Sequence, residues 1–215
     1  MDTAPTPAPG ISRSLFAFSI FYGGMVCIAG VLGNKQVALG PLAVEAGIFA
    51  FLLLVVTSSA VAELFDRTTA NRLVLIGFVP LIFSMLLTFL VLALPPAHDM
   101  PPERLQAFET MMGATPRIWG AGVVAYGTSQ LLNVTIFSRM KKEGGRLLWL
   151  RAGTASILSQ IVDTLLFITI AFYGAFPIGD LLLGQMLAKI VLSAVMVPPL
   201  IYLFVGLARR LDARA

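Results

Sequence analysis

The chain has 215 residues, of which 58% are hydrophobic and 12% charged, with a mean hydropathy of +0.90. Soluble globular chains carry about a quarter charged residues, so lipid is the main solvent here and a soluble class is excluded. One cysteine, Cys27, and one histidine, His98, leave no internal disulfide and no Cys/His metal cluster, so no metal or cofactor is expected; the net charge of +4 lies in short basic stretches between apolar runs, which leaves no basic face for nucleic acid.

Residues 1–12, rich in proline and small polar residues, read as a disordered tail. They do not read as a signal peptide, because the apolar run that follows continues to about Leu32 with no small-residue cleavage site. Lipidation at Cys27 is not expected, since Val26 stands where a small residue is needed. Six apolar runs follow, each near the 20 residues a bilayer requires: Ser14 to Leu32, Gly47 to Phe65, Leu73 to Leu94, Ile118 to Phe137, Thr154 to Gly174, and Leu181 to Leu207. The expected fold is all-α, a six-helix membrane domain over 13–208 with a basic tail at 209–215. Between the first two runs, "GNKQVALGPLAVEAG" reads as a loop or a broken helix start, with Glu45 at an outer end in water. Between the third and fourth, "ERLQAFETMM" fits a short interfacial helix and an ordinary loop equally well.

Basic residues orient the chain. Arg13, Arg67, Arg72, Arg139, Lys141, Lys142, Arg146, Arg151, Arg209, Arg210 and Arg214 fall on one side, and only Lys35, Arg104 and Arg117 on the other. By the positive-inside rule both termini face the cytoplasm.

Polar residues inside the spans carry the functional reading. In the fifth span Ser156, Ser159, Gln160, Asp163 and Thr164 share one helical face. A mid-span aspartate costs about 2.5 to 3.5 kcal/mol on insertion scales, so it faces a partner or a wet cavity. The sixth span adds Gln185 and Lys189, the fourth Gln130 and Asn133, and the end of the second Ser58, Ser59 and Glu63. Four helices thus converge on one polar interior. The serines and threonines have an alternative use in bonding their own helix, the amides in bonding neighbouring helices, and Asp163 and Lys189 in neutralising each other. For the two ionisable groups a site role is the favoured reading. Glu63 lies near the membrane edge, where simple solvation competes, and Trp149 beside Arg151 reads as an interfacial anchor. Glycines in the first and fourth spans mark close helix contacts, within one subunit or across a homodimer face.

The sequence has no P-loop, no H-E-x-x-H and no G-x-S-x-G, so an enzyme is not expected and any use of ATP would be borrowed from a partner. A carrier in which Asp163 also takes a proton, and a substrate-binding subunit with a separate ATP-driven partner, both remain open. "SSAVAELF" and "SQIVDTLLF" occupy corresponding places in two three-helix halves, a match too short to establish an inverted repeat.

The run "LLNVTIFSRMKKEGGRLLWLRAGTASILSQIVDTLLFITIAFYG", with "AELF" at 62–65 and "GNK" at 33–35, resembles the vitamin uptake transporter family, also called queuosine precursor transporters. The family's elements fall on Asn34, Lys35, Glu63, Leu150, Arg151, Ser159, Gln160, Asp163, Thr164 and Lys189. This chain departs from the pattern at Ser59, Asn133, Ala152, Gly153, Met196 and Val197. The resemblance implies uptake of a small 7-deazaguanine precursor of queuosine, 7-cyano or 7-aminomethyl, across the bacterial inner membrane. The residues are compatible with such a ring: Asp163 can accept from its amino and N–H edge, Gln160, Asn133 or Lys189 can donate to its carbonyl, and Phe137, Trp149 or Phe167 can cover its face.

Overall fold

The structure is a computed structural model and describes residues 12–39, 42–113, 116–142, 147–175 and 177–213. Among them are seven helices, α1 (Arg13–Leu32), α2 (Gly47–Leu64), α3 (Arg67–Ala93), α4 (Pro102–Met112), α5 (Pro116–Lys142), α6 (Leu148–Phe172) and α7 (Gly179–Asp212), and a hairpin of β1 (Gln36–Leu39) and β2 (Leu42–Glu45) between α1 and α2. The expected tail lies outside the described residues except for Ser12, whose side chain accepts from the Leu15 N–H and caps α1.

The helices longer than α4 alternate in direction. One end of the bundle, the terminal face, carries the start of α1, the α2–α3 turn and the ends of α5 and α7; the far face carries the hairpin and α4. The two ends of the chain are tied there. Asp212 at the end of α7 accepts from the Ser14 backbone N–H at 2.9 Å and from its hydroxyl at 2.7 Å, so a carboxylate occupies the positive end of α1.

Five helices, α1, α2, α3, α6 and α7 from Leu181 on, are long and apolar enough to cross a membrane. The chain is a multi-pass membrane protein. The expected fourth span forms as α5, long enough at 1.5 Å per residue but less apolar, because it carries Ser129, Gln130 and Asn133. All three are fully buried, so the polarity that lowers the helix's average faces protein and not solvent.

Burial runs opposite to that of a soluble protein. The outer surfaces of α3 and α7 expose Ile76, Phe83, Leu87, Val195 and Leu203, while the interior holds amides, hydroxyls and ions. A belt of exposed aliphatic side chains is stable when its surroundings are acyl chains. At the centre is α2, buried at every residue from Leu54 to Ala62 and packed on α1, α3, α5, α6 and α7. Small residues allow the closest approaches. Gly77 of α3 faces the rings of Tyr22 and Tyr126, and Gly127 of α5 faces the Phe78 ring.

Two stretches differ from expectation or decide it. The segment read as a loop or broken helix start is an antiparallel hairpin pairing Gln36 with Glu45 and Val37 with Val44, extended by a bond from the Ala46 N–H to the Lys35 carbonyl at 2.8 Å. Its apolar residues find a partner in α7, against which β2 packs with Val44 fully buried. The residues around "ERLQAFETMM" form α4, which starts with a proline in its first turn and buries none of its side chains.

Candidate functional site

The polar interior divides into three tiers along the bundle. Nearest the far face is a cavity of about 830 Å³, bordered by α1, α2, α3, α4, α5, α6 and α7. That volume is within the range of small-molecule sites, roughly 300 to 1,000 Å³. Its wall is mostly apolar, with Ile48, Phe51, Trp119 and Phe167 among the lining residues. Among the described residues lining it are two carboxylic acids, Glu45 and Asp163, and one amine, Lys189.

Asp163 lies about 14 Å before the end of α6 and Lys189 about 15 Å past the start of α7, at 1.5 Å per residue. They therefore sit at similar depth, and Lys189 Nζ lies 3.0 Å from Asp163 Oδ2. The Ser129 hydroxyl donates to the other carboxylate oxygen at 3.2 Å. An ionised carboxylate offers about four acceptor positions and an ammonium three donors, so both partners keep hydrogen-bonding capacity toward the cavity. Glu45 enters from the hairpin. Its carboxyl is half-buried and makes no hydrogen bond or ion pair with any described residue. Burial pushes its pKa up; the nearby Lys189 charge pulls it back and the Asp163 charge raises it further. The structure thus places Glu45 on the cavity wall and not in open water, because the hairpin folds back over α7.

The second tier is buried and partly bonded. Gln130 Oε1 accepts from the Tyr22 and Ser58 hydroxyls at 3.4 Å each, and Tyr126 donates to the Tyr22 oxygen at 3.1 Å. Asn133 Nδ2 reaches Ser59 Oγ at 3.1 Å and Ser58 Oγ at 3.2 Å. Ser159 and Thr164 bond carbonyls of their own helix, at Ser156 and Gln160. Both polar atoms of Gln160, with Gln130 Nε2 and Asn133 Oδ1, are buried without a partner among the described residues. Unpaired buried amides cost about 1 to 3 kcal/mol each, so this tier holds uncommitted hydrogen-bonding capacity.

The third tier closes the terminal face. Glu63 at the end of α2 lies 3.1 Å from Arg151 Nη2 and 3.3 Å from Lys141 Nζ, and Lys141 also donates to the Glu63 carbonyl at 2.6 Å. The buried Arg151 guanidinium stacks 4.9 Å over the Phe137 ring, a cation held by both a carboxylate and a π face.

The expected site residues accordingly separate. Asn34, Asp163 and Lys189 line the cavity, although Asn34 also bonds the Gly30 and Val31 carbonyls of its own helix. Gln130, Asn133, Ser159 and Gln160 lie beneath it, Thr164 is buried next to Asp163 in α6, Glu63 and Arg151 are at the terminal face, and Lys35 is exposed outside the cavity wall. Of the candidate ring partners, Phe167 lines the cavity, Phe137 lies under Arg151, and Trp149 is exposed. Sequence reasoning missed Glu45, Ser129, Trp119 and the Tyr22–Tyr126 pair. A hydroxyl in mid-span, at Tyr22 and at Tyr126, is a usable signal; Trp119 looks like any interfacial anchor, yet its Nε1 is buried at the cavity without a partner among the described residues.

Comparison with known proteins adds the following. The model of a family described as "Putative vitamin uptake transporter" matches residues 45–204, well over half of the chain. The chain is 30% identical over 141 residues to "Probable queuosine precursor transporter" of Bacillus subtilis (strain 168), covering 63% of this chain and 61% of that protein, less than two thirds of its length. It is 23% identical over 161 residues to "Queuosine precursor transporter" of Escherichia coli (strain K12), covering 75% of this chain and 70% of that one. No solved structure matches.

Proposed function

The chain belongs to the vitamin uptake transporter family, a family of transporters and not of enzymes, and on that premise we propose that it carries a queuosine precursor of the 7-deazaguanine type across the bacterial inner membrane. In this reading six helices span the bilayer, α5 among them, with both termini in the cytoplasm. The distribution of charge supports it: Arg67, Arg72, Arg139, Lys141, Arg209 and Arg210 gather at the terminal face, against Lys35, Arg104 and Arg117 at the other. The 830 Å³ cavity then opens outward, and the Glu63–Arg151–Lys141 cluster closes the cytoplasmic side.

The observation that carries the proposal is the Asp163–Lys189 pair at the cavity wall, 3.0 Å apart, with lone pairs and N–H groups left over. A guanine-like ring presents adjacent N–H donors and a carbonyl acceptor, which match a carboxylate beside an ammonium. Phe167 supplies a face for the ring, and the unpartnered Trp119 Nε1 a further donor. Transfer across the membrane requires the second and third tiers to part while the first closes, the exchange of access that carriers make around a central site.

Uptake of labelled 7-deazaguanines and queuine by cells expressing only this chain, with and without a proton uncoupler, tests the reading. Accumulation without any added ATPase is expected. Binding without accumulation would assign the chain instead to a substrate-binding subunit that works with an ATP-driven partner.

A further inference from the structure

The cavity holds one more negative group than it can neutralise. Among the described residues lining it, Asp163 and Glu45 are acids and Lys189 is the one base. Lys189 is paired with Asp163 at 3.0 Å, and the Ser129 hydroxyl lies 3.2 Å from the other Asp163 oxygen. Glu45 has no hydrogen-bond or ion-pair partner among the described residues, and it is held in place by a hairpin whose register is set by four paired positions and whose neighbouring residue, Val44, is fully buried. A carboxylate displayed into a largely apolar cavity is costly unless a cation meets it.

We infer that Glu45 is a specificity-determining residue that receives the positively charged arm of the ligand, so that the cavity selects a ring bearing a primary ammonium over the same ring with an uncharged substituent. This rests on the reading that the ring itself binds beside Asp163 and Lys189. The geometry suits a divided task. Asp163 and Lys189, on two packed helices, take the polar edge of the ring, while Glu45, on a separate element, faces the same cavity and is close enough to feel both of their charges. Burial pushes the Glu45 pKa up, the Lys189 charge lowers it and the Asp163 charge raises it, and an arriving ammonium favours the ionised form.

The test compares uptake of 7-aminomethyl-7-deazaguanine, which carries the ammonium, with uptake of 7-cyano-7-deazaguanine, which does not, by the full chain and by Glu45→Gln. The ratio of the two rates is independent of how much protein reaches the membrane. The substitution is expected to lower that ratio by about tenfold or more, the usual consequence of losing a buried charge-assisted contact; a ratio unchanged within about twofold would overturn the inference. As a second measurement, benzylamine and benzyl alcohol are titrated against the purified full chain. Tighter binding of the amine, abolished by Glu45→Gln, supports the role of Glu45 even if neither deazaguanine is transported, in which case the queuosine reading fails alone. Equal binding of both probes by the parent chain, with deazaguanine uptake intact, removes the role of Glu45 and leaves that reading standing.

Discussion

The bundle has one acid–base pair at mid-depth and another at its terminal face, and the two pairs are nearly alike in geometry. Asp163 and Lys189 are 3.0 Å apart toward the far face; Glu63 and Arg151 are 3.1 Å apart at the terminal face. Their surroundings are opposite. The first pair borders a cavity of about 830 Å³ and keeps hydrogen-bonding capacity directed into it. The second is packed shut, with Lys141 adding a second cation to Glu63 and the Phe137 ring covering the guanidinium. A buried ion pair by itself is weak evidence for stability or for function, because desolvation offsets most of its Coulomb attraction. What separates the two pairs is the space beside the first.

The sharpest way to break this contrast is to remove one charge from each. Asp163→Asn is expected to reduce uptake by about 100-fold or more, since the ligand loses its acceptor and Lys189 loses its neutraliser. Membrane abundance should stay near that of the parent, measured by quantitative blotting of the same cells; an equal fall in both would make Asp163 a structural residue. Arg151→Met should behave differently. The guanidinium is buried against Glu63 and Phe137, and its loss costs about 3 kcal/mol of stability. Melting temperature in detergent and uptake should therefore fall together, and retention of the parent's melting temperature would show that the terminal cluster does not hold that face shut.

The same contrast explains which parts of the protein were legible in the sequence. Asp163 and Lys189 stand out because an ion in a spanning helix is expensive, and their partnership follows from there being one of each in adjacent spans. The polar stripe of α6 is equally readable, since helical spacing alone puts Ser156, Gln160 and Asp163 on one face. Glu45 carries no such signal. An acid at the edge of an apolar run is cheap in water, and only the hairpin, a tertiary return over α7, brings it to the cavity. The sequence likewise marks a long apolar run at α5 but does not say that Gln130 and Asn133 will bond Tyr22, Ser58 and Ser59 across helices, because those partners lie on α1 and α2. The split of the expected residues into cavity, buried layer and terminal cluster depends on depth along each helix, which composition does not report.

Glycines sharpen the contrast between filled and open space with smaller effects. A methyl group at Gly77 would come within 2.6 Å of the Tyr126 hydroxyl and 2.7 Å of the Tyr22 ring, two buried side chains with nowhere to move. Gly77→Ala should cost about 2 kcal/mol through overpacking, seen as a lower melting temperature. At Gly122, which lines the cavity, an added methyl meets nothing within 4 Å, so Gly122→Ala should leave stability within about 0.5 kcal/mol of the parent. Gly122→Phe then projects a ring toward the proposed ligand space, and uptake should drop several-fold with no loss of melting temperature. If Gly122→Phe unfolded the protein, the cavity would be smaller than its outline.

A last effect, on stability alone, lies on the terminal face outside both pairs. Asp66 caps α3: one carboxylate oxygen accepts from the Thr69 N–H at 2.7 Å and the other from the Thr69 hydroxyl at 3.1 Å. The bond from the Thr69 N–H, more than any other influence, holds its pKa below the ordinary carboxylate value, against the opposing effect of desolvation. A depressed pKa means that the ionised cap contributes stability above the unfolded-state value and loses it as pH falls through the folded one, so the contribution is complete at neutral pH and disappears only in acid. Asp66→Ala should cost about 1 kcal/mol at pH 7, the usual loss for a helix N-cap. Asp66→Asn, which can still accept from the same N–H, should lose less than that and should no longer weaken in acid at this position. Neither change reaches the cavity, so uptake per molecule of folded protein should match the parent; a selective loss of uptake would mean that the α2–α3 turn takes part in opening the terminal face and is more than its end cap.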